Sequence, residues 1–188
     1  MNAMTDRSKT ALILGTATLI MFSPLAMVLA GYPIPMFQNL GFESETIAPP
    51  MAWILATIVV IMYVLYTMKA IPFVASMQRE ISLFKLLGIL SAVVGGIVEE
   101  VFFRRWTMDM FMSGGFNPIL QVIISGFAFG LAHTSWILAK RRFKFAIPAI
   151  LSTSVLGIFL AIIYLVGGRN LGPCIFAHVL INIVIEPW

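Results

Sequence analysis

Long apolar stretches separated by short polar ones run through the whole chain. Several of these stretches approach about 20 residues, the length that an α-helix needs to cross the hydrocarbon layer of a membrane. They leave little room for a separate soluble domain. The pattern therefore predicts an all-α, polytopic transmembrane helical bundle.

We predict about six spans in a single membrane domain over residues 1–188. The third span ends at Ser113-Gly114-Gly115, and Asn117-Pro118 begins the fourth. Two spans and their loops occupy residues 10–82, and a four-span core occupies 83–188. The predicted spans are Thr10–Ala30, Met51–Met68, Leu83–Met112, Asn117–Leu138, Phe145–Val166 and Leu171–Ile185.

The distribution of basic residues predicts the orientation of these helices. A loop rich in Pro and Gly at 31–50 carries two glutamates and no Lys or Arg, as is typical of an extracytoplasmic segment. The basic residues Arg7, Lys9, Lys69, Arg79 and the run 140–144 all fall on the other side. Both termini are therefore predicted to be cytoplasmic.

The first apolar segment has two interpretations. Its end at Val28-Leu29-Ala30 would also serve as a signal-peptide cleavage site. The apolar run is longer than a usual signal h-region, which favours a retained anchor.

Composition supports the membrane interpretation and narrows the function. Hydrophobic residues make up 60% of the chain and charged residues 11%, a ratio that no ordinary soluble core needs. The net charge of +4 arises from basic residues beside hydrophobic segments, which indicates contact with the membrane surface and argues against a nucleic-acid partner. The single cysteine, Cys174, excludes an intrachain disulfide and any metal-thiolate spacing.

A few strongly polar residues nevertheless lie inside the predicted spans. Ionisable groups at such depth cost at least a few kcal/mol each unless they are paired or face a wet cavity. Glu100 and Arg104 are four residues apart on one helix face and can neutralise each other, whereas Glu99 points about 100° away. The set is Glu99, Glu100, Arg104, Arg105, Asp109, His133, His178 and Asn182.

Both histidines of the chain fall in apolar helices. Phe129 stands one turn before His133, where it can pack on the same helix face and support the site, and Asn182 stands one turn after His178. A carboxylate, two imidazoles and an amide can activate water and stabilise an oxyanion, which predicts a hydrolytic site at Glu99. Carboxylates that only hold helices together, and histidines that only pack in the core, remain the structural alternative.

At these residues the sequence resembles the CAAX protease and bacteriocin-processing family of intramembrane glutamic endopeptidases, related to the Ras-converting prenyl-protein protease. Three motifs carry the resemblance, in the family's order: EExxxR at 99–104, FxxxH at 129–133 and HxxxN at 178–182. The resemblance covers roughly 83–188.

The resemblance implies a role for each of these residues. Glu99 and His133 would activate the attacking water, while His178 and Asn182 would stabilise the oxyanion. Glu100 and Arg104 would brace the site as an ion pair.

The resemblance also implies a metal-independent integral membrane enzyme without an organic cofactor. It would cut a peptide or membrane-protein substrate, prenylated or not, and the short chain suits a microbial plasma membrane. The length of helix from Lys85 to Glu99 and the length from His133 to Lys140 place these two site residues at different depths in the membrane. We expect the site in the cytoplasmic half. Either the third helix tilts or bends near Gly95-Gly96, or it begins outside the cytoplasmic plane, and a neighbouring helix could approach closely at these small residues.

Rival interpretations start from other residues. Cys174, one turn before His178, is a geometrically possible nucleophile, although a free cysteine in a helix usually packs. Two histidines and a glutamate suit a zinc peptidase, but no HExxH helix is present. A non-catalytic membrane binding or immunity protein is the non-enzymatic alternative. As a weaker hypothesis, the basic run 140–144 attracts the anionic end of a substrate peptide.

Overall fold

The computed structural model describes residues 11–20, 22–23, 47–71, 74, 83–139 and 143–185. Throughout these residues the regular secondary structure is helical and no strand occurs, which confirms the all-α prediction. A π-helix, Val101–Met108, joins α3 to α4 without a break. The α-helices are α1 (Ala11–Ile20), α2 (Pro50–Ala70), α3 (Leu83–Glu100), α4 (Asp109–Ser113), α5 (Pro118–Ala139), α6 (Phe143–Val166) and α7 (Gly172–Ile185).

Three helical stretches are long and apolar enough to cross a membrane, namely Pro50–Ala70, Lys85–Ser113 and Ala146–Val166. The other three predicted spans coincide with shorter apolar helices in the described part of the chain. The six-span count and the orientation of the termini remain predictions. Arg7, Lys9, Arg79, the loop at 31–46 and residues 140–142 lie outside the described residues.

Local sequence signals explain where the helices begin and end. Pro50 occupies the first turn of α2, where its missing N–H costs no hydrogen bond. α4 ends at the predicted glycine pair, with Gly115 in the left-handed region at φ +80°. The Asn117 side chain then accepts a hydrogen bond from the Leu120 N–H at 3.0 Å and caps the start of α5.

Small residues allow the helices around the polar cluster to approach closely. A Cβ at Gly126 of α5 would lie 2.9 Å from the backbone nitrogen of Ile158 in α6. α7 packs against α2, α3 and α6. A Cβ at Gly96 would lie 2.9 Å from the Val179 side chain, so the close neighbour expected at Gly95-Gly96 is α7.

The π-helix is the feature of the fold that the sequence did not predict. The expected continuous helix is present, but its hydrogen-bond pattern widens directly after Glu100. The Thr107 hydroxyl donates to the Phe102 carbonyl five residues earlier, at 2.9 Å. π-Helical turns within α-helices occur frequently at functional sites.

Candidate active site

A carboxylate from α3 lies between imidazoles from α5 and α7. Glu99 Oε2 is 3.6 Å from His133 Nε2 and 3.8 Å from His178 Nε2. Both separations exceed a direct hydrogen bond and suit a contact bridged by one small polar molecule. The structure therefore brings together three of the four residues that were predicted to be catalytic.

The orientation of His133 is set by its own helix. Its Nδ1 lies 2.9 Å from the carbonyl oxygen of Phe129, which can only accept a hydrogen bond. Nδ1 therefore carries the proton, and in the neutral ring Nε2 presents its lone pair toward Glu99. The side chains of His133 and Glu99 are 31% and 22% exposed, whereas the Glu99 Oε2 atom that faces the imidazoles is buried.

The orientation of His178 is set by a charge. Its Nδ1 donates to Glu100 Oε1 at 2.8 Å, and its side chain is 1% exposed. The opposite ring nitrogen is buried without a hydrogen-bond partner among the described residues, and it faces Glu99. The two imidazoles thus differ in environment, one held by a neutral carbonyl and the other by a carboxylate.

The predicted ion pair between Glu100 and Arg104 is present. Arg104 Nε lies 3.0 Å from Glu100 Oε2, and both side chains are fully buried. A second guanidinium nitrogen, Nη2, donates to Glu100 Oε1 at 3.3 Å. Arg104 offsets the charge of Glu100, and Glu100 Oε1 accepts hydrogen bonds from both Arg104 and His178.

Phe129, predicted to support the site, lies at its centre. Its ring centroid is 4.4 Å from that of His133 and 5.3 Å from that of His178. The Arg104 guanidinium carbon lies 5.0 Å from the same ring centroid, within cation–π range. One fully buried aromatic ring therefore packs against both imidazoles and against the Arg104 guanidinium.

Asn182 is placed one turn beyond His178 on α7 and is half-buried. Within the described residues its side chain forms no hydrogen bond, so the structure does not join it to the Glu99 group. Its contribution to the site remains a prediction.

Cys174 occupies the preceding turn of α7. Its thiol is fully buried and donates to the Leu160 carbonyl at 3.3 Å. The cysteine thus packs as a small buried residue, which is the interpretation that the sequence favoured over a nucleophile.

Sequence reasoning missed Ser125, which contacts the ion pair from α5. Its hydroxyl donates to the Phe103 carbonyl at 2.9 Å and accepts from Arg104 Nη1 at 3.2 Å. Ser125, Phe129 and His133 follow one another at intervals of four residues, so one face of α5 carries all three. This spacing is the signal from which the sequence could have predicted that Ser125 lies beside the site.

A second polar cluster explains Asp109, whose partner the sequence did not reveal. Its carboxylate pairs with Arg169 from the turn between α6 and α7. The Tyr164 hydroxyl donates to the same carboxylate at 3.2 Å, and Arg105 lies 3.7 Å away. Gln121 accepts a hydrogen bond from Arg169 at 2.6 Å, so the cluster ties α4, α5 and α6 together.

The Glu99 group can act chemically in two ways. Its carboxylate and two imidazole nitrogens can hold and polarise a water molecule. The same three ligand atoms lie within 4.8 Å of one another and could also hold a metal ion.

The fold and this site together define a helical membrane protein with a partly buried glutamate–histidine centre. Residues 81–184, more than half of the chain, match the sequence profile described as type II CAAX prenyl endopeptidase Rce1-like. The chain belongs to this family. Membership makes it an integral membrane protein of the CAAX protease type, an intramembrane endopeptidase.

The matched region contains every residue predicted for the site, from Glu99 to Asn182. It also agrees with the expected extent of the resemblance, 83–188. The searches of curated proteins and of solved structures found no significant match.

Proposed function

We propose that this protein hydrolyses peptide bonds in or near the membrane with water activated by Glu99 and His133, without a metal or organic cofactor. The observation that carries this proposal is the placement of the Glu99 carboxylate within 4 Å of two imidazole nitrogens in an apolar bundle. Unlike Glu100, Glu99 has no Lys or Arg side chain within ion-pair distance among the described residues. Its negative charge is therefore available to accept a proton.

The reaction follows from the positions of these groups. Glu99 removes a proton from water while the Nε2 lone pair of His133 accepts a hydrogen bond from the same water and orients it. The oxygen attacks the scissile carbonyl carbon and forms a tetrahedral intermediate. Protonated Glu99 then returns its proton to the departing amide nitrogen, and the C–N bond breaks to give a carboxylic acid and an amine. The acid proton passes to the amine, which leaves a carboxylate, an ammonium group and ionised Glu99.

His178 suits stabilisation of the intermediate because its surroundings differ from those of His133. Glu100 supplies a negative charge with which a doubly protonated His178 ring forms an ion pair through Nδ1. Nε2–H of that ring would donate to the oxyanion, and the Asn182 amide would add a second donor after substrate binds. A donor placed in this way contributes roughly 10²–10³ in kcat.

The family match supports a peptide or protein substrate that is processed in the membrane. We propose a peptide or membrane-protein substrate, prenylated or not, that reaches the site from the bilayer of a microbial plasma membrane. The partly exposed edges of Glu99 and His133 are where such a chain would meet the site.

The test compares wild-type protein with Glu99→Gln in nanodiscs. The probes are quenched fluorescent peptides ending in C-a-a-X, with the cysteine either farnesylated or free, and products are identified by mass spectrometry. We expect wild-type cleavage of at least one probe and a loss of about a thousandfold in kcat for the variant, with unchanged thermal unfolding. A Glu99→Gln protein that cleaves at the wild-type rate would refute the role of Glu99 and favour a purely structural cluster.

A metal-dependent peptidase is the second candidate, and one observation favours it. Both imidazoles donate through Nδ1, to a carbonyl and to a carboxylate, and both turn Nε2 toward Glu99. This is the outer hydrogen-bonding pattern that metal-binding histidines commonly have. Activity retained after dialysis against a strong chelator, with no stoichiometric metal by mass spectrometry, would exclude it. Loss on chelation and recovery with Zn²⁺ would establish it instead.

A further inference from the structure

The hydrogen bonds of Ser125 have a defined direction. The Phe103 carbonyl can only accept, so the Ser125 hydroxyl proton points to it, at 2.9 Å. The lone pairs of Ser125 are then directed to Arg104 Nη1, at 3.2 Å. One buried hydroxyl therefore holds both the peptide group that precedes Arg104 and the guanidinium of Arg104 itself.

These contacts continue in one chain to the candidate active site. Arg104 donates a hydrogen bond to Glu100 through Nη2 and lies within ion-pair distance of it through Nε, and Glu100 accepts a hydrogen bond from His178 Nδ1. Ser125, Glu100 and Arg104 are fully buried, so water does not compete for these bonds at their surfaces. A guanidinium deprived of one acceptor in such surroundings turns toward another, because an unsatisfied buried donor is costly.

We propose that Ser125 is a positioning residue for the hydrolytic site and acts through Arg104 and Glu100 on the ring orientation of His178. The inference rests on the proposed function. The proposed role adds one turn of α5 before the FxxxH segment to the site. One face of α5 then contacts the ion pair through Ser125 and supplies the water-orienting imidazole of His133. The wide π-helical turn that carries Phe103 and Arg104 is anchored at the same hydroxyl.

The experiment uses the full chain and compares three variants of Ser125 with one control. Ser125→Ala removes both hydrogen bonds, Ser125→Thr keeps the hydroxyl, and Ser125→Cys fills the space but bonds weakly. The matched control is Ser154→Ala, because Ser154 is 3% exposed and its hydroxyl has no hydrogen-bond partner within the described residues. Removing that hydroxyl deletes a buried oxygen without breaking a bond.

The first measurement is independent of cleavage. The chain contains two histidines, so ¹⁵N-histidine labelling, with purification through a tag other than polyhistidine, gives two imidazoles to assign. We expect the His178 Nδ1 and Nε2 signals to move in Ser125→Ala and Ser125→Cys, and to stay in place in Ser125→Thr and Ser154→Ala. Unchanged His178 signals in a folded Ser125→Ala or Ser125→Cys protein would overturn the inference.

The second measurement is cleavage of the C-a-a-X probes. We expect kcat to fall about 10- to 100-fold in Ser125→Ala with KM within about twofold, because a hydrogen bond to a charged group is lost away from the bound peptide. Ser125→Thr should recover most of this loss. Wild-type kcat in Ser125→Ala beside an inactive Glu99→Gln would refute the positioning role and leave the proposed function intact. If the His178 signals move in Ser125→Ala but the wild-type protein cleaves no probe, the positioning role stands and the proposed function is contradicted.

Discussion

At the scale of single residues, two adjacent glutamates have different roles because they differ in burial and in their partners. The Glu99 side chain is 22% exposed and lies beyond direct hydrogen-bond distance of both imidazoles, whereas Glu100 is fully buried against Arg104. Neutralising Glu99 removes a reactive charge. Neutralising Glu100 leaves the Arg104 charge in the interior without compensation.

We therefore predict opposite outcomes for two equivalent substitutions. Glu100→Gln should lower the free energy of unfolding by about 3–5 kcal/mol, and Glu99→Gln by less than about 1 kcal/mol. Thermal unfolding of both proteins in the same detergent measures the difference. Equal losses of stability would contradict the division between the two carboxylates.

Cys174 gives a second prediction at this scale. Because its thiol is fully buried and bonded to the Leu160 carbonyl, Cys174→Ala should change kcat by no more than about twofold. The unmodified protein should also react with maleimide only after denaturation. An inactive Cys174→Ala protein that keeps the fold would restore the thiol-nucleophile interpretation.

Single residues also show what the sequence could and could not predict. The Glu100–Arg104 pair followed from helical spacing, and the same geometry separated Glu99 from it. The meeting of Glu99 with His133 and His178 was implied by the family motifs, because pairing between distant helices has no local signal. Ser125 escaped notice because serine is common in membrane helices and its partner lies on another helix.

At the scale of helices, close contact between α5 and α6 fixes the position of His133. A Cβ at Gly126 would clash with backbone atoms of Ile158. Rotation of a side chain cannot relieve a clash with the backbone. Gly15 in α1 has nothing within 4 Å of the corresponding position.

These two glycines provide a matched pair of substitutions. Gly126→Ala should destabilise the protein by about 1–3 kcal/mol through overpacking, and should lower kcat by displacing His133. Gly15→Ala should leave stability unchanged or raise it by up to about 1 kcal/mol, since alanine favours a helix. Unfolding midpoints of the two variants provide the measurement, and a stable Gly126→Ala protein would contradict the close contact.

Helix boundaries were more predictable than helix geometry. The proline at the start of α2 and the glycines after α4 mark ends that the sequence predicted, because each fills a position with a specific backbone requirement. The π-helix at Val101–Met108 has no such residue signal. Its anchor, the bond from Ser125 to Phe103, belongs to the tertiary structure.

For the whole molecule, the predicted topology places the end of α2 in the cytoplasm and the end of α4 outside. The continuous helix from Leu83 to Ser113 measures about 46 Å at 1.5 Å per residue, longer than the hydrocarbon layer of about 30 Å. It must therefore tilt or extend into the interface. In the stretch Lys85–Ser113, Glu99 lies equally far from both ends.

The natural single cysteine makes this topology testable. In a Cys174→Ala background, the exposed residues Lys69 and Ser113 are each replaced by cysteine, and whole cells are treated with a membrane-impermeant maleimide. Ser113→Cys should be labelled in intact cells, and Lys69→Cys only after lysis. The reverse pattern would show that the bundle is inserted with the opposite orientation.

The central claim is that Glu99, His133 and His178 converge on one water molecule that splits amides. A high-resolution experimental structure in lipid tests this claim most directly. The account predicts an ordered water within hydrogen-bond distance of Glu99 Oε2 and His133 Nε2, with His178 Nε2 facing the same space. Side chains that diverge to separate faces, or a metal ion in place of the water, would contradict it.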